Sequence, residues 1–196
     1  MPRKNIVKTY VENGIYHIYN RGNDHKPIFH SEEDYLVFLE LLQRYLLKPS
    51  RIYQRLKNYS DKIELLAFCL MENHFHFLLK QISNNVREIS EFMQSILTSY
   101  SMIFNNRNNK VGHLWESNYK ARLIENEFDL LGTSKYIHLN PSSDFKEANS
   151  YPYSSIRCYT SPNNENNLEF VNTKEIFRIL PSPEAYIAFL KEKTIR

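Results

Sequence analysis

The chain has 196 residues, 42% of them hydrophobic and 14% aromatic, enough for one domain with a real core or one domain plus a tail. Those proportions exclude a disordered chain and a disulfide-dependent mini-protein, and no apolar run reaches the roughly 18 residues of a membrane span. The formal charge of +3 is too small by itself to argue for nucleic acid.

Met1 to Tyr10 is basic but lacks the apolar stretch of a signal peptide. Ile15 to Asn20 (IYHIYN) is rich in β-branched and aromatic residues and runs into Arg21-Gly22-Asn23-Asp24, so it reads as a strand entering a turn. Ser31 starts a helix whose first turn holds Glu32, Glu33 and Asp34, where negative charge suits the helix dipole. Tyr35, Phe38, Leu39, Leu42, Tyr45 and Leu46 repeat at helical spacing, and Pro49 ends the run. Arg51 to Asp61 is a polar, basic connection.

Ile63 to Leu70 reads as a buried strand, Met71-Glu72-Asn73 as a turn, and His74 to Lys80 (HFHFLLK) as the second arm of a hairpin. Asn84 or Asn85 can cap a helix with Val86, Ile89, Met93, Ile96, Leu97, Tyr100 and Ile103 on its apolar face. After a polar loop, Asn118 to Ile124 alternates as a strand. A third helix runs from about Glu127 to Asn140, capped by Asn126 and stopped by Pro141. Tyr151 to Asn167, rich in Pro, Ser, Asn and Tyr, reads as irregular, and Pro183 to Lys193 as a short terminal helix. The order β-α-β-β-α-β-α implies an α+β fold: a split β-α-β, ferredoxin-like antiparallel sheet with helices on one face. The third helix would lie against the other face. Residues 1–141 form one domain on this reading, and residues 142–196 an extension packed on it.

Charge is uneven. Met1 to Ile28 carries five basic and two acidic residues, Arg51 to Lys62 four and one, and Ile103 to Arg122 four and one. The acidic residues gather in Ser31 to Glu40 and Glu125 to Glu147. Ordinary surface patchiness explains this as well as a partner does. Cys69 and Cys158 have no neighbours at zinc-finger spacing, which suits reduced thiols in a cytosolic setting.

Two constellations could carry chemistry. His74 and His76 stand on one face of a strand, with Phe75 and Phe77 on the other. Paired imidazoles suit a metal ion, although two half-exposed strand histidines need no ligand. Tyr136 and Asn140, four residues apart, share a helix face with Gly132, whose missing side chain leaves space for a ligand at about 1 kcal/mol of helix stability. With 14 tyrosines present, a merely packed Tyr136 is the plain alternative. Brought together, the two constellations would make a His-His-Asn metal site with open positions and Tyr136 as nucleophile on a phosphate.

The chain resembles the single-tyrosine HUH transposases, in their REP-associated tyrosine transposase branch. The resemblance runs from about Gly14 to Ser155. It rests on Tyr16-His17-Ile18-Tyr19-Asn20-Arg21-Gly22, Pro27-Ile28-Phe29, and Cys69-Leu70-Met71-Glu72-Asn73-His74-Phe75-His76-Phe77-Leu78. It continues through Gly112-His113-Leu114-Trp115, Tyr119-Lys120-Ala121, Tyr136-Ile137-His138-Leu139-Asn140-Pro141 and Tyr151-Pro152-Tyr153-Ser154-Ser155.

The resemblance implies an RRM-like catalytic fold that cuts single-stranded DNA near imperfect hairpins with Mg²⁺ or Mn²⁺. It assigns His74 and His76 to the histidine pair, Asn140 to the third ligand and Tyr136 to the nucleophile. Tyr136 would keep the 5′-phosphate and release a 3′-hydroxyl. The setting would be the bacterial cytoplasm, in association with the nucleoid, with single-stranded hairpin DNA as partner and no membrane. The helix of Tyr136 would serve its own site or a partner's in a homodimer.

The chain departs from the family at Glu72, where Pro is usual, at Ser117-Asn118 for Gly-Arg, and at Ser142-Ser143-Asp144 for Val-Arg-Ala. Arg21, in phosphate contact or in a solvated turn, and Lys120 and Arg122 are candidates for phosphate contact, and His113 with Trp115 for stacking on an unpaired base, although a lone Trp is more often core. Two other classes compete: a non-cleaving hairpin DNA-binding protein of the same fold, and an RRM-type RNA binder. The histidines stand where an RRM would carry stacking aromatics, which argues against the latter.

Overall fold

The computed structural model describes residues 10–49, 57–162 and 168–192. Most of the basic start (residues 1–9), half of the basic connection (50–56), the end of the irregular stretch (163–167) and Lys193 lie outside the described residues.

Alternation in β3 (His74–Gln81) dictates the layering. Phe75, Phe77 and Leu79 enter one apolar cluster and Leu78 another, on the opposite face, which also carries His74 and His76. A strand buried on both faces needs partners above and below. It has them in a four-stranded sheet of order β2-β3-β1-β4, with β1 (Ile15–Arg21), β2 (Ile63–Met71) and β4 (Lys120–Leu123). Every pairing is antiparallel, and the register sets Tyr19 opposite His76, Arg21 opposite His74, His17 opposite Arg122 and Tyr19 opposite Lys120.

The first face packs on α1 (Glu32–Leu46) and α2 (Glu88–Arg107). Their inner residues, among them Phe38, Leu42, Tyr45, Phe92, Ile96 and Tyr100, follow the helical period. The buried Asp34 carboxylate accepts from the backbone N–H of His30 at 2.8 Å and of Ser31 at 3.3 Å, closing the start of α1. Helix α2 begins later than its apolar spacing suggests. The Asn85 side chain accepts from the Arg87 N–H in a turn, so Val86 precedes the helix and is exposed.

The second face receives α3 (Glu127–His138), capped by Asn126, whose side chain accepts from the Asp129 N–H at 2.9 Å. Beside it lie α4 (Phe145–Ser150), α5 (Ile156–Thr160), α6 (Lys174–Ile179) and α7 (Pro183–Lys191). Ile156, Tyr159, Ile176, Tyr186 and Leu190 join Leu66, Ala67, Cys69, Leu78, Leu130 and Ile137 in the second core. This explains why β2 reads as almost continuously apolar: both its faces are covered, and a bulge between Leu65 and Ala67 turns two successive residues toward the second cluster. Helices α4, α5 and α6 have only five or six residues each, too short for a period to show, and α5 lies inside the stretch that reads as irregular.

The segment from Tyr151 to Tyr159 straps the outer edge of β2. The Leu70 N–H donates to the Tyr153 carbonyl at 2.9 Å and the Ser155 N–H to the Phe68 carbonyl at 3.0 Å. The Tyr151 and Tyr159 hydroxyls donate to the Leu70 and Leu66 carbonyls. An edge so covered cannot pair with a foreign strand.

His138 ties the second layer together. It is fully buried, with Nδ1 2.7 Å from the Tyr186 hydroxyl and Nε2 2.8 Å from Ser155 Oγ. Tyr186 in turn donates to Ser134 Oγ at 3.1 Å, and the Phe68 N–H donates to Ser155 Oγ at 2.8 Å. Burial lowers the His138 pKa to about 3. A histidine depressed in the fold binds a proton in the unfolded chain first, so stability is intact above about pH 6.5 and falls as pH drops toward 3. We expect denaturant titrations to show a loss of about 1.4 kcal/mol per pH unit from this group below pH 6. A His138→Gln variant should lose that share of the slope; an unchanged slope would mean His138 is not held neutral.

Candidate active site

The site grows from the second face of the sheet. Period two puts His17 and Tyr19 of β1, His74 and His76 of β3, and Lys120 and Arg122 of β4 on that face. The end of α3 supplies Tyr136 and Asn140. The helix stops at His138, two residues before the Asn140 that the helical spacing includes, because a residue ahead of a proline disfavours helical backbone. Asn140 sits in the following turn, its N–H toward the Ile137 carbonyl at 3.4 Å, and its side chain still reaches His74.

The hydrogen bonds define which ring nitrogens face the cleft. Asn73 Nδ2 donates to the His25 carbonyl at 3.1 Å, which turns Asn73 Oδ1 toward His74 Nδ1 at 2.7 Å. Nδ1 therefore carries the proton. His74 Nε2, then a lone pair, faces Asn140 Oδ1 at 3.1 Å. Two acceptors at that distance repel unless a proton or cation lies between them. Burial lowers the His74 pKa; the Asn140 oxygen beside the ring, which would favour a proton there, opposes this and Arg21 reinforces it, so the ring stays neutral. The separation of 3.1 Å is that of adjacent ligands about 2.1 Å from one cation. The donor set therefore fits a divalent metal.

His76 Nδ1 lies 2.9 Å from His17 Nε2, and only one of the two can carry the proton. Burial lowers His76 to about 3, helped by His17 and His74, and lowers His17 to about 4, helped by Arg122. With both rings neutral, a proton on His76 Nδ1 leaves its Nε2 lone pair free for the cleft. The Tyr136 ring meets His76 edge to face at 5.2 Å and His17 at 5.8 Å between centroids, and its side chain is half exposed. Among the described residues no three His, Cys, Asp or Glu converge as a closed metal cage. Two imidazoles and an amide leave the remaining positions open.

The cleft measures about 390 Å³, and Arg21, His74, His76, Glu116, Lys120 and Tyr136 are among its walls. Arg21 is ion-paired with Glu116 at the wall. Lys120 lies 5.6 Å over the Tyr19 ring and forms no ion pair among the described residues. Arg122 differs from the expected free phosphate contact: its guanidinium is committed to Asp129 through two bonds of 2.7 and 2.9 Å and to Thr133 at 2.8 Å, tying β4 to α3. His113 is exposed on the loop after α2, outside the cleft lining. Trp115 is packed edge-on against Phe75, and its N–H donates to Ser101 Oγ at 2.8 Å, so its ring belongs to the core. His17 and Asn73, which orient the two imidazoles, escape the sequence reading. The signal for His17 is a single polar ring in an apolar strand; its contact with His76 needs the β1–β3 register.

Residues 10–140 match the family described as IS200-like transposase, and the chain belongs to it. No curated protein matches the chain. Among solved structures, that of a REP-associated tyrosine transposase bound to a REP hairpin superposes with a TM-score of 0.54 at 12% identity, covering 85% of this chain and 90% of that one. The architecture is thus the REP-associated tyrosine transposase fold. No helix among the described residues is long and apolar enough to cross a membrane.

Proposed function

We propose that this transposase cuts and rejoins single-stranded DNA beside hairpins, using Tyr136 as nucleophile and a divalent metal, Mg²⁺ or Mn²⁺, held by His74, His76 and Asn140. The observation that carries the reading is the pair of acceptors, His74 Nε2 and Asn140 Oδ1, 3.1 Å apart beside an accessible phenol. The hairpin partner is inferred from the structural relative, whose bound DNA is a REP hairpin.

When bound, the ion supplies Lewis-acid polarisation of a phosphate oxygen. The chain does the rest. His74 and His76 are held neutral by burial and aimed by Asn73 and His17. Lys120, without an ion pair among the described residues, attracts the DNA backbone at the cleft wall, and Arg21 lies beside it with its charge shared with Glu116. Tyr136 Oη forms a bond to phosphorus as the bond from phosphorus to the 3′-oxygen breaks. The phenol proton passes to water at the exposed hydroxyl, and the departing 3′-oxygen takes one up. The phosphotyrosine ester conserves the bond, so a 3′-hydroxyl can reverse the step and join strands. The described part of the extension after Pro141 holds α3 in place through Ser155 and Tyr186.

With labelled hairpin oligonucleotides and Mn²⁺, denaturing gels should show a covalent adduct that EDTA and Tyr136→Phe both abolish. An adduct persisting in Tyr136→Phe would refute the assignment. Replacing His17 with Phe keeps the ring's bulk but removes the acceptor for His76 Nδ1. Calorimetric Mn²⁺ affinity should then fall about 10- to 100-fold. Unchanged affinity would mean that His17 is only packing.

A further inference from the structure

Two features of α3 do nothing for the fold. Gly132 lies mid-helix, where glycine is the poorest residue short of proline. It is not at positive φ, and a Cβ built there would meet nothing within 4 Å. Neither backbone strain nor crowding within the chain calls for glycine. Phe128, one turn earlier, is 89% exposed. Phe128, Gly132 and Tyr136 follow one another at four-residue spacing, so the stripe reads aromatic, gap, aromatic along a single line of the helix.

The stripe forms one wall of a groove of about 1310 Å³, together with Lys135, Phe189 and Lys191. Tyr136 belongs to this groove and to the active-site cleft alike. Any strand attacked at a phosphate by Tyr136 has nucleotides on both sides of it, and the groove is a continuation past the phenol. Its lining carries three lysines, Lys135, Lys146 and Lys191, against two carboxylates, Glu192 and Asp144, the latter turned to the first backbone N–H groups of α4, so the balance is cationic by one charge. The Lys135 ammonium is fixed by the carbonyls of Phe189 at 2.7 Å and Glu192 at 2.6 Å and lies 4.9 Å over the Phe189 ring. Lys191 lies 4.9 Å over the Phe145 ring. Neither lysine pairs with a carboxylate among the described residues. Unneutralised lysines beside aromatic rings are how proteins hold single strands without reading their sequence. Phe128 and Tyr136 are about 12 Å apart along the axis, room for two or three bases at ~3.4 Å spacing.

The geometry points to a single-stranded DNA subsite: the unpaired nucleotides adjoining the phosphate at Tyr136 run through this groove, with a base over Gly132 against the Phe128 ring. The inference rests on the hairpin-DNA reading above and adds where the unpaired strand goes.

The test uses the full chain carrying Tyr136→Phe, so that no cutting occurs, with Mn²⁺ and fluorescent DNA hairpins. The hairpins carry a thymidine tail or an abasic tail of equal length, placed on either side. Anisotropy should show Phe128→Ala weakening the thymidine-tailed hairpin about fivefold or more on one side and leaving the abasic-tailed hairpin unchanged. Gly132→Leu should weaken the same probe while the thermal midpoint stays level or rises, an opposition that a structural role would not produce. If the parent binds both hairpins and neither substitution alters the thymidine-tailed affinity, the subsite is overturned and the hairpin reading stands. If the substitutions change sedimentation from dimer to monomer without touching DNA affinity, a second copy covers the groove and the subsite is overturned. If the parent binds neither hairpin, the functional reading fails and takes the subsite with it.

Discussion

The chain of hydrogen bonds through His138 fixes the rotation of α3, and the site depends on that rotation. Tyr136 and His138 are two residues apart, on different sides of the helix. With both nitrogens of His138 used, by Tyr186 and Ser155, the ring has one acceptable setting. That setting leaves Tyr136 turned to the two sheet histidines. The network is satisfied end to end, from the Phe68 N–H on β2 to Ser134, whose hydroxyl donates to the Leu131 carbonyl at 2.8 Å. A buried polar chain of this kind specifies one arrangement because any other strands a polar group in an apolar layer. Arg122 adds a second tether at the start of the helix through Asp129 and Thr133.

The site itself obeys the same rule of paired donors and acceptors. His74 and His76 each turn one nitrogen away from the cleft, to Asn73 and His17. Burial keeps both rings uncharged, which is the state in which an imidazole can share a lone pair. The cleft thus combines neutral imidazoles at its floor with cationic Arg21 and Lys120 at its wall, and the ion pair to Glu116 holds Arg21 in place.

Much of this was legible in the chain because it is periodic or local. The alternation of His74 to Lys80 tells which residues share a face before any partner is known. Asn126 and Pro141 mark the two ends of the third helical segment, and Tyr136 and the paired histidines stand out as reactive types in family context. What was not legible depends on register or on brevity. His17 and His76 meet diagonally across a pairing whose partners are far apart in sequence. Arg122 reads as a free cation on a strand face until the structure shows Asp129 within reach. Asn140 keeps its contact with His74 although it leaves the helix, since a turn before a proline brings the amide to the same place. Helices α4, α5 and α6 are fewer than two turns long, too short to be stable without the packing of the second layer, whereas the longer α7 is legible in the sequence.

The second core draws on segments far apart in the sequence: Leu66 and Cys69 from the hairpin, Leu130 and Ile137 from α3, Tyr159 and Tyr186 from the C-terminal helices. On the ribosome these arrive in that order. The strands bearing the sheet histidines leave the exit tunnel before Tyr136 does, and Tyr186 follows Tyr136 by several seconds of translation. In that interval the helix bearing the phenol has Arg122 and the hairpin to rest on, but His138 lacks its Tyr186 partner. The geometry of the cleft is thus completed only near the close of synthesis, and a message broken before the Tyr186 codon yields a product in which the setting of Tyr136 lacks this lock.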